Sequence, residues 1–110
     1  RATMSWSVEV LNETVEAELD SLSVQMRAKF TRIAEMLEEL GPHRVGMPYV
    51  RHLQGKLWEM RLRHRTSIAR ALYVTVPGRR IVVVRTFVKK TPRTPRREID
   101  LGLRRAKEIE

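Results

Sequence analysis

The chain has 110 residues, contains no cysteine and carries a formal net charge of +9. Without cysteine the protein has no disulfide, no thiolate-bound metal and no thiol catalysis, and the length is that of one domain, so we expect residues 1–110 to form a single unit. No apolar run approaches the roughly 20 residues of a membrane span, and the N-terminus has no apolar signal core. We therefore expect a cytoplasmic protein without a membrane partner.

The positive charge is concentrated in the second half of the chain. Residues 1–50 contain 5 Lys or Arg against 8 Asp or Glu, whereas residues 51–110 contain 17 against 5. The densest stretch is 85–97, with 6 cations and no acid. A basic face of this kind is typical of proteins that bind a polyanion, above all nucleic acid. The alternative is a solvated basic surface without a partner.

The first half of the chain predicts one strand and two helices. Apolar and polar residues alternate over 6–10, which indicates a half-buried strand. From 15 to 40 apolar residues recur every three or four positions and form one helical stripe. Ser21 and Ser23 are placed to divide this stripe into a short and a long helix, and Gly41-Pro42 to end it.

The second half predicts three strands and a last helix, after an irregular segment over 41–55. Strands over 57–63, 69–76 and 80–88, joined by a polar turn and by Pro77-Gly78, form an antiparallel meander. Thr94 is expected to cap the last helix, with Pro95 at its first position. The order β-α-α-β-β-β-α predicts an α+β fold: a small antiparallel sheet packed by an N-terminal helical hairpin and a C-terminal helix.

Cations from neighbouring strands are expected to meet on one face of this sheet. In the strand over 57–63, Glu59, Arg61 and Arg63 alternate with apolar residues and face away from the core. Arg70 opens the next strand, and Lys89 and Lys90 leave the last one, so all are within cross-strand reach. Fixed cations suit a phosphate whose charge grows in a transition state. The alternative is a row of surface arginines that only follows a nucleic-acid backbone.

Metal-dependent cleavage is disfavoured, because the only aspartates, Asp20 and Asp100, lie in different elements and no His-x-x-x-His spacing occurs. We therefore expect no metal and no cofactor, with an RNA 2′-hydroxyl as nucleophile. Such cleavage needs a base and an acid. Glu59 is the one carboxylate on the charged strand face, and is either the base or a salt-bridge partner of the arginines. His64, in the following turn, is the other candidate.

Three stretches of the second half resemble the phage-related HigB branch of the RelE/ParE toxin superfamily. They are Leu57-Trp58-Glu59-Met60-Arg61, Ala69-Arg70-Ala71-Leu72-Tyr73, and Phe87-Val88-Lys89-Lys90-Thr91 followed by Thr94-Pro95 and Glu98-Ile99. The resemblance implies a single RelE-like toxin domain of a type II toxin–antitoxin pair. Such toxins cleave mRNA without metal, usually in the ribosomal A site. It also implies a cognate antitoxin, commonly with a helix-turn-helix domain.

Carried over by position, the resemblance implies catalytic cations that bind phosphate and stabilise the transition state: Arg61, Arg70, Lys89 and Lys90. Glu59 stands where many relatives have a lysine base, and neither Tyr nor His follows Tyr73, so the base and the acid stay open. The remaining basic candidates are expected to bind RNA: Arg63, His64, Arg93, Arg96 and Arg97. Two other functions remain open, a non-catalytic RNA- or ribosome-binding module and a ParE-like gyrase inhibitor.

Overall fold

The computed structural model describes residues 5–89 and 91–109. Its elements in chain order are β1 (Ser7–Val10), α1 (Glu13–Asp20), α2 (Val24–Leu40), a 3₁₀ turn (Pro42–Arg44), β2 (Val50–Gln54), β3 (Leu57–His64), β4 (Ser67–Val76), β5 (Arg80–Lys89) and α3 (Arg96–Ala106). The strands form one sheet in the order β1-β5-β4-β3-β2. The predicted α+β class is confirmed.

The sheet is mixed rather than purely antiparallel. The pairs β2–β3, β3–β4 and β4–β5 are antiparallel, but β1 runs parallel to β5, with Val8 opposite Ile81. β1 and β5 are far apart in sequence, so no tight turn between them imposes antiparallel pairing. The expected meander accounts for the β3–β4 and β4–β5 pairs, whereas the β2–β3 pair was not expected.

The helical hairpin divides where the two serines predict. The Ser23 side chain accepts the backbone N–H of Met26 at 3.2 Å and caps α2, while α1 is capped in the same way by Asn12. Gly41 ends α2 at a φ of 87°, and a Cβ there would lie 3.3 Å from Trp6 Nε1. Glycine is therefore needed both for the backbone conformation and for the close approach of Trp6.

The two faces of the sheet carry separate cores. α1 and α2 cover one face, where Met60, Leu62 and Tyr73 are buried; burial raises the pKa of Tyr73. α3 covers part of the other face and packs on a cluster that includes Leu57 and Leu72. At Gly102 an added Cβ would lie 3.1 Å from Leu57 and 3.2 Å from Leu72, so this glycine lets α3 approach the sheet closely. The part of this sheet face that α3 does not cover carries charged side chains.

Two local expectations are wrong. The segment over 41–55, expected to be irregular, contains β2, whose pairing with β3 shifts register between His52 and Gln54. This bulge interrupts the alternation by which a strand is recognised. The last helix begins at Arg96 with Pro95 as its capping residue, and no side chain caps it. Thr94 is buried and donates elsewhere, as described below.

Two acids and two arginines join α1, β5 and α3 in what we call the Arg85 cluster: Glu18, Arg85, Glu98 and Arg105. Arg85 donates to both carboxylate oxygens of Glu98, at 2.7 and 3.1 Å, and to Glu18 at 2.8 Å. Glu18 accepts the backbone N–H of Thr86, and Arg105 donates to the carbonyl of Val84. These contacts occupy the edge of β5 beyond the end of β1.

Within residues 5–89 and 91–109, no helix combines the length and the apolar character needed to cross a membrane.

Candidate active site

A buried carboxylate, Glu59 of β3, lies at the centre of a group of cations. Register places Arg51 of β2 opposite Glu59, and Arg61 of β3 opposite Arg70 of β4, all on the sheet face that α3 partly covers. The Glu59 carboxylate lies 3.2 Å from Arg51 Nη2, 3.6 Å from Arg61 Nε and 3.7 Å from Arg70 Nε. Thr94 donates its hydroxyl to Glu59 Oε1 at 2.6 Å. These five residues are the Glu59 cluster.

The Glu59 cluster is not electrically balanced, since one carboxylate faces three guanidinium groups. The side chains of Glu59 and Arg70 are 0% exposed, whereas that of Arg61 is 13% and that of Arg51 40% exposed. The excess positive charge therefore reaches the surface through Arg61 and Arg51. Burial lowers the pKa of Arg70, Glu59 opposes this shift, and Arg61 and Arg51 add to it.

Arg70 connects the sheet to the segment that leads into α3. Its Nη2 donates to the backbone carbonyls of Thr91 at 2.6 Å and Pro92 at 2.7 Å. Four buried polar atoms of the cluster have no hydrogen-bond partner among the described residues: Glu59 Oε2, Arg61 Nε, Arg70 Nε and Arg70 Nη1. Three of them are cationic donors. Unsatisfied buried donors of this kind call for an explanation, and an anionic ligand is one.

Glu59 and Arg70 are therefore not surface groups, contrary to the expectation that they lie on an exposed charged face. Alternation does place them on the face away from α1 and α2, but Thr94 and the carbonyls of Thr91 and Pro92 cover that face. The catalytic roles assigned to both stay predictions. Because the Arg70 side chain is 0% exposed and that of Arg61 is 13% exposed, a substrate can contact Arg61 more readily than Arg70.

The other predicted cations occupy three places. Lys89 is half-buried at the end of β5. It lies two positions beyond Phe87, the residue opposite Arg70, and therefore on the same sheet face as Arg70. Arg93 and Arg96 line a cleft of about 440 Å³ beside Arg51 and Thr94. Arg96 also binds Gln54 and Asp100, and Arg97 is exposed on α3. Lys90 lies outside the described residues.

The structure separates His64 from the Glu59 cluster. His64 follows Met60 and Leu62 at intervals of two, so it lies on the sheet face covered by α2. There it lines a pocket with residues of that helix, among them Lys29 and Arg32. Arg63 alternates onto the other face but is exposed at the strand edge. His64 is thus not positioned to serve a reaction at Glu59, because the sheet lies between them.

Sequence reasoning missed Arg51 and Thr94. Arg51 meets Glu59 only through the pairing of β2 with β3, and the bulge in β2 hid that strand. A threonine before a proline is a common helix start, so the sequence predicts a cap at Thr94 rather than a partner of Glu59. Only Val50 of β2 is buried, and His52 is exposed, so alternation of apolar and polar residues does not mark this strand. Across residues 5–89 and 91–109, no three His, Asp or Glu side chains lie close enough together to hold a metal ion.

The family model described as Phage derived protein Gp49-like matches residues 17–107. Among solved structures, the chain resembles archaeal RelE, crystallised in a RelE-RelB complex from Pyrococcus horikoshii OT3. That match has 21% identity, a TM-score of 0.56, and coverage of 82% of this chain and 100% of the other. A mutant of the E. coli toxin RelE in the free state gives 17% identity, a TM-score of 0.63, and coverage of 97% and 100%. No curated protein sequence matches significantly.

Proposed function

Because this chain belongs to the phage-derived Gp49-like family and has the fold of RelE toxins, we propose that it is a toxin that cleaves mRNA on the ribosome. The proposed substrate is single-stranded mRNA in the A site, and the proposed regulator is a cognate antitoxin with a helix-turn-helix domain. The RelE of Pyrococcus horikoshii OT3 is crystallised with RelB, which supports a protein inhibitor as partner.

The observation that carries this proposal is the uncompensated charge of the Glu59 cluster. When the 2′-oxygen of RNA loses its proton and bonds to phosphorus, negative charge grows on the non-bridging phosphate oxygens until the bond to the 5′-oxygen breaks and that oxygen takes up a proton. Donors already held in place stabilise that charge without reorganising. Arg61 lies beside Glu59, is 13% exposed and has an Nε without a hydrogen-bond partner, so we assign it the scissile phosphate. Arg51 and Lys89 border the same face.

Glu59 and Arg70 act in this proposal by positioning. Arg70 fixes the segment over 91–92, and Glu59 orients the arginines around it. Glu59 already faces three guanidinium groups and accepts the Thr94 hydroxyl. Although Glu59 Oε2 has no hydrogen-bond partner, the Glu59 side chain is 0% exposed, so a substrate 2′-hydroxyl reaches this carboxylate only if one of the covering groups moves. The burial of Glu59 therefore supports a bracing role over that of general base.

The direct test compares Arg61→Ala with Arg104→Ala in a ribosome-programmed mRNA cleavage assay. Arg104 is an exposed cation of α3 away from the cluster, so its removal controls for loss of general positive charge. Loss of one preorganised donor costs about 2.7–4 kcal/mol, or on the order of 10²–10³ in rate. We expect this loss for Arg61→Ala only, with products that end in a 2′,3′-cyclic or 3′-phosphate.

Equal cleavage by both variants would remove Arg61 from the mechanism. If the unaltered protein binds ribosomes but leaves the mRNA uncut, the protein is a non-catalytic binding module. Accumulation of broken DNA in cells that express the protein would indicate a gyrase inhibitor.

A further inference from the structure

A second basic site lies at the edge of β3, on the side of α2. β2 pairs with β3 only as far as Met60, and the last contact is the Arg61 N–H donated to the Tyr49 carbonyl at 2.8 Å. Beyond that point β3 is an edge strand. A cleft of about 240 Å³ opens between this edge and α2. Its cations come from both elements: Lys29 and Arg32 from α2, and Arg61 and Arg63 from β3, which belong to the opposite sheet face but line the cleft at the open edge of the strand.

The floor of this cleft is apolar and aromatic. It is formed by Ile33 of α2 and by Pro48 and Tyr49, which precede β2. Tyr49 is 44% exposed, so much of its side chain is open to solvent. None of the described residues that line the cleft is acidic. Cations around an accessible aromatic ring are the combination by which proteins hold single-stranded nucleic acid, with phosphates on the cations and a base on the ring.

Arg61 belongs to both sites. Its Nε lies 3.6 Å from Glu59 in the Glu59 cluster, and its side chain also lines the α2 cleft. An RNA strand with a phosphate at Arg61 can therefore continue over the β3 edge into the cleft without leaving a positively charged surface. Lys29 and Arg32 extend this surface to the adjoining pocket, where His64 lies.

We propose that this cleft, here called the Tyr49 cleft, binds a nucleotide next to the cleaved phosphate, with its base stacked on Tyr49 and its phosphate held by Lys29, Arg32 and Arg63. The proposal rests on the mRNA cleavage proposed above and adds a determinant of specificity to it. Purines stack more strongly than pyrimidines, so the identity of this neighbouring base affects binding although no hydrogen bond reads it.

The stacking is tested with a short 2′-O-methyl RNA, which the 2′-hydroxyl mechanism cannot cleave, carrying 2-aminopurine at successive positions. Stacking on tyrosine quenches 2-aminopurine fluorescence, so one position should be quenched by the unaltered protein. Tyr49→Ala should abolish this quenching and weaken binding by about 10-fold, within the range for loss of a stacking aromatic. Tyr49→Phe keeps the ring and should retain both.

The charges are tested by the salt dependence of binding to the same RNA. For single strands each phosphate contact contributes about 0.7 to the slope of log K against log salt. Lys29 and Arg32 hold one phosphate in this proposal, so Lys29→Ala/Arg32→Ala should lower the slope by about 0.7, the contribution of that phosphate. The control is Arg27→Ala/Arg104→Ala, which removes two exposed cations, one of them from α2, that do not line the cleft.

Two outcomes overturn the inference: unchanged quenching in Tyr49→Ala, or an equal fall in slope in the control. Cleft variants that bind RNA normally but bind the antitoxin weakly also overturn it, and assign the cleft to a protein partner. These failures are separate from failure of the proposed function. If Arg61→Ala cleaves mRNA at the normal rate while Tyr49→Ala loses quenching, the Tyr49 cleft stands and the proposed mechanism at Arg61 falls.

Discussion

The protein contains two partly buried charge clusters that differ in the ratio of carboxylates to guanidinium groups. The Arg85 cluster has two carboxylates for two guanidinium groups, and none of its described charged atoms is buried without a hydrogen bond. The Glu59 cluster has one carboxylate for three guanidinium groups and leaves four such atoms unsatisfied. The hydrogen bond to Glu98 raises the pKa of Arg85, whereas burial lowers that of Arg70.

This difference separates a structural role from a functional one. In the Arg85 cluster every charge is compensated, so the cluster holds α1 and α3 against β5 and has no need of a ligand. In the Glu59 cluster the protein retains positive charge that its own groups do not neutralise. Sites that stabilise a transient anion keep such an excess, at a cost in stability.

The largest effect is expected for Arg70→Ala, because Arg70 contributes to both stability and positioning. The change leaves Glu59 buried with one partner fewer and removes two hydrogen bonds to the carbonyls of Thr91 and Pro92. Breaking a buried pair costs about 3–5 kcal/mol, so chemical denaturation should show a loss of this size. The cleavage rate of the folded fraction should also fall, by roughly 10²–10³.

Arg70→Lys is the control for this prediction, since it keeps the charge but cannot bridge Glu59 and both carbonyls. It should recover part of the stability and little of the rate. Normal cleavage by folded Arg70→Ala would show that the segment over 91–92 needs no support from β4.

Arg85→Ala should lower the stability of the protein without lowering its cleavage rate. It removes three hydrogen bonds that join β5 to α1 and α3. The Arg85 side chain is 22% exposed, so we expect a loss of about 2 kcal/mol, below the value for a fully buried pair. The cleavage rate per folded molecule, measured well below the melting temperature, should be unchanged. A fall in this rate comparable to that of Arg61→Ala would end the distinction between the two clusters.

Glu59→Gln distinguishes bracing from proton transfer. If Glu59 is a brace, Gln keeps the shape and the Thr94 contact, so we expect a rate loss below about 10-fold and an unchanged pH–rate profile. A general base would lose roughly 10²–10⁴ and flatten the acidic limb of the profile. Glu18→Gln, in the balanced cluster, is the matched control and should leave the rate unaltered at every pH.

The smallest effect is expected from removal of transition metals. With magnesium retained for the ribosome, stripping of zinc and manganese should leave the cleavage rate unchanged. In the proposed mechanism, the cationic groups of the Glu59 cluster supply the charge that a metal ion provides in metal-dependent nucleases. Activity that returns only when Zn²⁺ or Mn²⁺ is added would contradict the metal-free mechanism.

Sequence patterns predicted the elements that local periodicity determines. The spacing of apolar residues from Val15 to Leu40 gave both helices, with the break at the serines, and alternation gave β3, β4 and β5. Long-range pairing was not predictable in this way. β2 was missed because a bulge interrupts it, and the parallel pairing of β1 follows from no local signal.

Local periodicity predicted part of the candidate site but not the contacts that depend on long-range packing. Arg61 and Arg70 were expected to be neighbours because consecutive strands pair, and they lie directly opposite each other. The burial of Glu59 and Arg70 depends on Thr94 and the carbonyls of the segment over 91–92, whose path no periodic pattern specifies. The roles of these residues therefore remain predictions, although their positions are described.

The pairing of β1 with β5 has a consequence for how the chain is made and folded. β1 emerges early in synthesis, but Val10 meets its partner Val83 only after the two helices of the hairpin, the 3₁₀ turn, β2, β3, β4 and the first four residues of β5 have followed. The helical hairpin contains mostly local contacts and can form first, whereas the sheet needs long-range pairing, which is slow. A nascent chain therefore exposes the edge of β1 until β5 has begun to emerge, and the Glu59 cluster is complete only when Thr94 has followed.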